Sequence, residues 1–313
     1  MKNKLFVRSI ITVLLAFMLY SANAKRINSA QIKILEPKTS KVTKKKSSNK
    51  KQPQEPTAPK ISSAEYDKKV SYDKGSNKKL LSKVEKVMGK NSTYQVAIQD
   101  LNNSSRYVRV ANSSRVQNVD ETMHVFVLIA LYRQMQTGKW SSATTIKVKK
   151  SDKVKSDSIV LQPNIQYSLA YLRQAMISGS KTAANALVRS IGKSKIQEAI
   201  SRSGASQTTM KGNFSHSPVG TTTAKDLNQT LISIYQTRVL KKNYAYRVLS
   251  AMATKKNKLT SMISGTVYTV GDDNSAAAIV QSGGHSYAIS VWSNTDKNFA
   301  NLGKTVEDWF SQK

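Results

Sequence analysis

The stretch from Glu121 to Gln136 constrains the chain most. Val125, Leu128, Ile129, Leu131, Tyr132 and Met135 recur at helical spacing, neighbouring positions are apolar too, and Gly138 supplies a stop. A helix that is apolar nearly all round needs partners on every side, so this segment predicts a buried helix with other elements packed around it.

The surrounding sequence supplies those elements. Leu80, Leu81, Val84, Val87 and Met88 share one face of an earlier amphipathic helix. Val96 to Ile98 and Tyr107 to Val110 read as strands flanking the turn Asn102-Asn103-Ser104-Ser105. Helical segments then dominate between about 166 and 252: Tyr167 to Ser178, Thr182 to Ile191, Lys195 to Ser201, Thr223 to Thr237 and Asn243 to Ala253. Strands return at Gly265 to Val270, Ala276 to Gln281 and His285 to Trp292, and a last helix is expected from Asp296 to Phe310. That order implies an α+β fold. Its antiparallel sheet is flanked by N- and C-terminal helices, with an all-helical subdomain inserted at about 121–260.

Residues 1–24 have the form of a secretory signal peptide. Lys2, Lys4 and Arg8 precede an apolar run from Ile10 to Leu19, and Ser21-Ala22-Asn23-Ala24 ends in small residues. The run is short for a bilayer span, so cleavage near Lys25 and a secreted, surface-associated protein are expected, with an uncleaved anchor as the alternative. Residues 25–80 carry 16 basic and five acidic side chains, with prolines at 37, 53, 56 and 59, and read as a basic, disordered linker. The following domain, 81–313, is also basic, with 31 cationic and 13 acidic residues. Such charge favours anionic wall polymers or an acidic membrane surface, and a plain soluble spacer is the alternative for the linker. Nucleic acid is not expected, because no stacking motif accompanies the charge. The absence of cysteine excludes disulfides, a thiol nucleophile and thiolate metal ligands.

Several stretches resemble the class A β-lactamases and the wider penicillin-recognising serine hydrolases. Val125-Phe126-Val127-Leu128-Ile129-Ala130-Leu131-Tyr132-Arg133-Gln134 looks like the family's helix after its nucleophile. Val148 to Asp152, Tyr167 to Ile177, Thr182-Ala183-Ala184-Asn185 and Thr221-Thr222-Thr223-Ala224-Lys225-Asp226-Leu227 support it. The similarity covers nearly all of 78–311 and implies the β-lactamase-like fold.

The motifs that carry the family's chemistry are absent. Where Ser-x-x-Lys belongs, the chain has Glu121-Thr122-Met123-His124. A carboxylate is a poor nucleophile toward an amide, so no acyl-enzyme is expected. Where Ser-Asp-Asn belongs stand Gly179, Ser180 and Lys181, and Lys-Thr-Gly is replaced by Thr269, Val270 and Gly271. Of that third motif only the glycine remains, which the resemblance implies lets substrate approach the strand edge. Residues 207–220 contain no acid to serve as the deacylating base. Six displaced Ser-x-x-Lys spacings occur, from Ser47, Ser48, Ser71, Ser76, Ser178 and Ser190. With 41 Ser and 39 Lys about five arise by chance, so they carry no signal, Ser178 partly excepted because Lys181 falls in the second-motif region.

Glu121 and His124 share a helix face at a helix start, which suits a capping pair filling the vacated nucleophile pocket. A general acid/base dyad or a Glu-x-x-His metal ligand pair are the alternatives, though His216 and His285 lie at no recognisable ligand spacing. Lys181 is either an anion contact or a solvated charge. Asp272, Asp273 and Asn274 are expected to shape a turn, and Trp140, Trp292 and Trp309 to pack the core. No cofactor or metal is expected. Two functions stay open: a catalytically inactive binding or scaffolding protein at the bacterial surface, with a peptidoglycan-like or β-lactam ligand as a further partner, and a hydrolase with a rebuilt cleft.

Overall fold

The computed structural model describes residues 69–312 apart from 158, 254, 255 and 273. The expected signal peptide and nearly all of the expected linker lie outside the described residues.

One six-stranded antiparallel sheet organises the fold. Its strands are β1 (Ser71–Tyr72), β2 (Tyr94–Asp100), β3 (Tyr107–Ala111), β9 (Thr266–Asp272), β10 (Ser275–Ser282) and β11 (His285–Ser293), in the spatial order β1-β3-β2-β11-β10-β9. The expected hairpin forms, with Ala97 opposite Arg109 and Ile98 opposite Val108. Asp100 accepts the backbone N–H groups of Asn102 and Asn103, and so shapes its turn. Helices α1 (Lys78–Met88) and α8 (Phe299–Ser311) are the expected N- and C-terminal helices. Leu80, Val84 and Met88 of α1 share a core with Phe299, Leu302, Val306 and Phe310 of α8 and with strand residues such as Val96, Ile98 and Ile289.

Regular structure is already present before the expected boundary at residue 80. Ser71 and Tyr72 pair with Ala111 and Val110, and the Asn77 side chain caps α1 by accepting from Leu80 N–H. Lysine-rich composition hid this, because Lys78 and Lys79 occupy the exposed side of the first turn while Leu80 and Leu81 face the core.

The inserted block holds α2 (His124–Gln136), α3 (Leu169–Ile177), α4 (Lys181–Ile191), α5 (Lys193–Arg202), α6 (Ala224–Tyr235) and α7 (Lys242–Met252). Its short strands are β4 (Gln117–Val119), β5 (Thr145–Lys147), β6 (Gln166–Ser168), β7 (Thr209–Met210) and β8 (Gly220–Thr222). Nine consecutive residues of α2, His124 to Tyr132, are buried. Each large apolar one contributes about 1.5–3 kcal/mol of transfer free energy, which makes α2 the axis of the second core. The helix does not begin at Glu121 as its apolar pattern suggested. Glu121–Met123 form a separate 3₁₀ turn, whose N–H at Met123 bonds the Asp120 carbonyl. Trp140 and Trp292 pack against this core and Trp309 is buried beside Phe310. No helix among the described residues is long and apolar enough to cross a membrane.

Candidate functional site

The 3₁₀ turn and the start of α2 place Glu121 and His124 between the inserted helices and edge strand β9. Two small cavities meet there. One, of about 40 Å³, is lined by Glu121, His124, Gly179, Lys181, Phe214 and His216 among others. The second, of about 30 Å³, is lined by Glu121, His124, Ile177, Asn257, Thr269, Val270 and Gly271. The fold thus gathers seven of the eight expected positions around one locus.

Ser180 is the exception. It is fully buried, and its hydroxyl donates to Asp157 Oδ2 at 2.9 Å while accepting Ala183 N–H at 3.1 Å. Asp157 also accepts the Lys181 and Thr182 N–H groups at 3.2 and 2.6 Å. Together they cap α4, so Ser180 serves as its N-cap. Ser178 lies at the C-terminal end of α3, with its N–H on the Gln174 carbonyl, and lines neither cavity. Lys181 is exposed at the rim of the first cavity.

His124 is 5% exposed, its ring stacks on Phe214 with centroids 4.6 Å apart, and Nε2 has no hydrogen-bond partner. Burial pushes its pKa down to about 3, because the site disfavours an imidazolium. The ring is therefore neutral at physiological pH. The Thr122 hydroxyl, also fully buried, has no partner either. Neither the 3₁₀ turn nor the start of α2 carries a side-chain cap, so the expected capping role of the Glu121–His124 pair is not seen, and the buried His124 Nε2 and Thr122 hydroxyl lack a partner among the described residues.

Beta strand β9 is fixed from behind. Asn257 Nδ2 donates to the Val270 and Gly271 carbonyls at 3.3 and 3.0 Å, and Asn257 caps the short 3₁₀ turn Lys258–Thr260. Gly271 has φ +80°, and a Cβ there would lie 2.3 Å from both the Ser275 carbonyl oxygen and Thr122 Cγ2. Crowding by its neighbours therefore accounts for this glycine, whatever approaches from solvent.

Sequence reasoning missed the loop that closes the site. Asp120 accepts Ser217 Oγ at 2.7 Å and Val219 N–H at 2.8 Å, drawing 214–219 over the start of α2. A third pocket, of about 190 Å³, lies on the other side of Glu121, between Asp120, Ser217, Asn274 and Ser275. Asp120, Asp157 and Phe214 meet their partners across tens of residues, and no local motif announces such contacts. Among the described residues, no group of three or more His, Asp or Glu side chains is placed to hold a metal ion.

A family model described as the beta-lactamase enzyme family matches residues 79–309. Solved structures with the same fold include PBP-A, at 16% identity and TM-score 0.69, covering 76% of this chain and 98% of its own. The TLA-3 extended-spectrum beta-lactamase follows at 18% identity and TM-score 0.67, with 74% and 98% covered. A beta-lactamase from Sphaerobacter thermophilus has 14% identity and TM-score 0.66, with 75% and 97% covered. No curated protein matches the sequence.

Proposed function

The chain belongs to the beta-lactamase enzyme family, and from that premise we propose that it is a member without acyl-transfer activity that works by binding or scaffolding at the bacterial surface. One observation carries the reading: where the family works, the space beside Glu121 and His124 is split into cavities of about 40 and 30 Å³. Ligand pockets for molecules of drug size run to about 300–1,000 Å³, so neither of these two alone takes up a bicyclic lactam. The residue types agree. A carboxylate at 121 and a neutral, buried imidazole at 124 provide neither an attacking hydroxyl nor an amine to deprotonate it.

Secretion, a disordered basic linker over the N-terminal residues and attraction to anionic wall polymers or membrane complete the proposal, supported by the apolar run at 10–19 and the net charge of +32. The rebuilt hydrolase remains the competing reading, favoured by the larger pocket beside Asp120, Glu121 and Ser217. Incubation with a fluorescent penicillin followed by denaturing electrophoresis separates the two. No covalent label and no nitrocefin turnover are expected, and a label that survives denaturation overturns the proposal.

A further inference from the structure

The nine residues 147–155 contain five lysines, Lys147, Lys149, Lys150, Lys153 and Lys155, and all five are exposed. Alternation along the strand explains the first part of the display. Ile146 and Val148 point into the core at 6% and 0% exposure, which turns Lys147 and Lys149 outward. The one acid of the segment, Asp152, is turned inward and 3% exposed. Arg189 holds it through two bonds of 2.8 Å, Nε to Oδ1 and Nη2 to Oδ2, and Lys149 N–H adds a third at 2.8 Å.

The segment is therefore a built strap. Pairing of β5 with β6, the Asp152 clamp and a further bond from Arg189 Nη2 to the Lys147 carbonyl at 2.7 Å fix its backbone. The Val154 N–H bonds Thr182 Oγ1 at the start of α4, which brings the strap's end toward Lys181 at the cleft rim. Five exposed like charges within nine residues, with the segment's one acid turned inward, repel each other and do not stabilise the fold.

We propose that this strap is a docking track for a linear, phosphate-bearing polyanion. The inference rests on the binding role proposed above and names the surface and the partner. Its form points to a flexible chain: the cations follow one another along an extended stretch and a single turn, so successive phosphates can meet successive lysines. No aromatic residue interrupts them, so a nucleic acid finds no base-stacking platform. No residue of the strap is both apolar and exposed, so the strap itself has nothing to insert into a bilayer. Val160 and Ile165 are exposed in the loop that follows, which makes anionic vesicles the necessary competitor.

The test uses the full chain and two charge-matched variants, so that the basic N-terminal residues contribute equally to each. One changes the five strap lysines to Gln. The other changes Lys78, Lys79, Lys83, Lys86 and Lys90, which are exposed on and just after α1. Binding of long-chain inorganic polyphosphate is measured between 50 and 200 mM salt, with thermal melts confirming that both variants fold. Five lost phosphate contacts reduce the slope of log K against log salt by about 3.5, which makes the wild-type affinity fall about a hundredfold more than the strap variant's over that range. The α1 variant should keep most of the wild-type slope. Equal losses in both variants, or an unchanged strap variant, overturn the proposal. So does strap-dependent binding to anionic vesicles without binding to polyphosphate, or tighter binding of a single-stranded oligonucleotide of equal charge. Penicillin labelling, by contrast, would sink the reading of the cleft and leave a strap-dependent polyphosphate affinity standing.

Discussion

Replacing His124 by Phe should remove much of the protein's acid sensitivity. The imidazole is buried and neutral, with its pKa held down to about 3, against an ordinary value of about 6.5. The unfolded chain therefore binds this proton first, and stability fully present above about pH 6.5 drains away as the pH falls toward 3. Integrated from pH 7 to pH 5, the two pKa values give a loss of about 2 kcal/mol from this one group. Glu121, Lys181 and His216 line the same cavity, so the wild-type slope contains whatever they add, but the difference between wild type and variant isolates the imidazole. Phe keeps the stacking on Phe214 and removes an Nε2 that has no partner, so the variant should be at least as stable as wild type at pH 7. Denaturant unfolding at pH 7 and pH 5 measures both quantities. If the two proteins lose the same stability between those pH values, the imidazole either titrates normally or is rescued on protonation by the Glu121 carboxylate, and the account of a sealed, neutral site fails.

Other perturbations probe the scaffold and the proposed absence of acyl transfer. The double change Glu121→Ser with His124→Lys restores the first motif alone and should still give no penicillin adduct by intact-protein mass spectrometry, because Gly179, Thr269 and the small cavities remain. Gly303→Ala should destabilise by about 2–3 kcal/mol, seen as a melting temperature about 5–10 °C lower, since the new Cβ would lie 1.9 Å from the Leu259 carbonyl oxygen. Asp157→Ala removes three bonds from the start of α4 and should cost about 1–2 kcal/mol in chemical unfolding, with increased amide exchange at Lys181 and Thr182.

Much of the architecture was legible because it rests on local periodicity. The apolar stripe of α2, the hairpin around Asn102–Ser105 and the three closing strands each declare themselves within a dozen residues. The boundaries that slipped have specific causes. Beta strand β1 is two residues long and exists only through its pairing with Val110 and Ala111, which no local pattern encodes. The 3₁₀ turn at Glu121–Met123 follows Asp120, whose carboxylate is engaged by Ser217 and Val219, about a hundred positions downstream. Family resemblance located Glu121, His124, Lys181 and Thr269 at one place. It could not tell that Ser180 was bound to Asp157, because that contact spans a loop of no fixed motif.

Gly271 shows how a matching motif position can mislead. Its missing side chain leaves room for the Ser275 carbonyl and the Thr122 methyl, which would reject any bulkier occupant whether or not a substrate ever arrived. A glycine at the family's motif position is thus no witness for turnover. Steric necessity inside the scaffold preserves it just as well, and only side chains that the architecture could spare testify about chemistry.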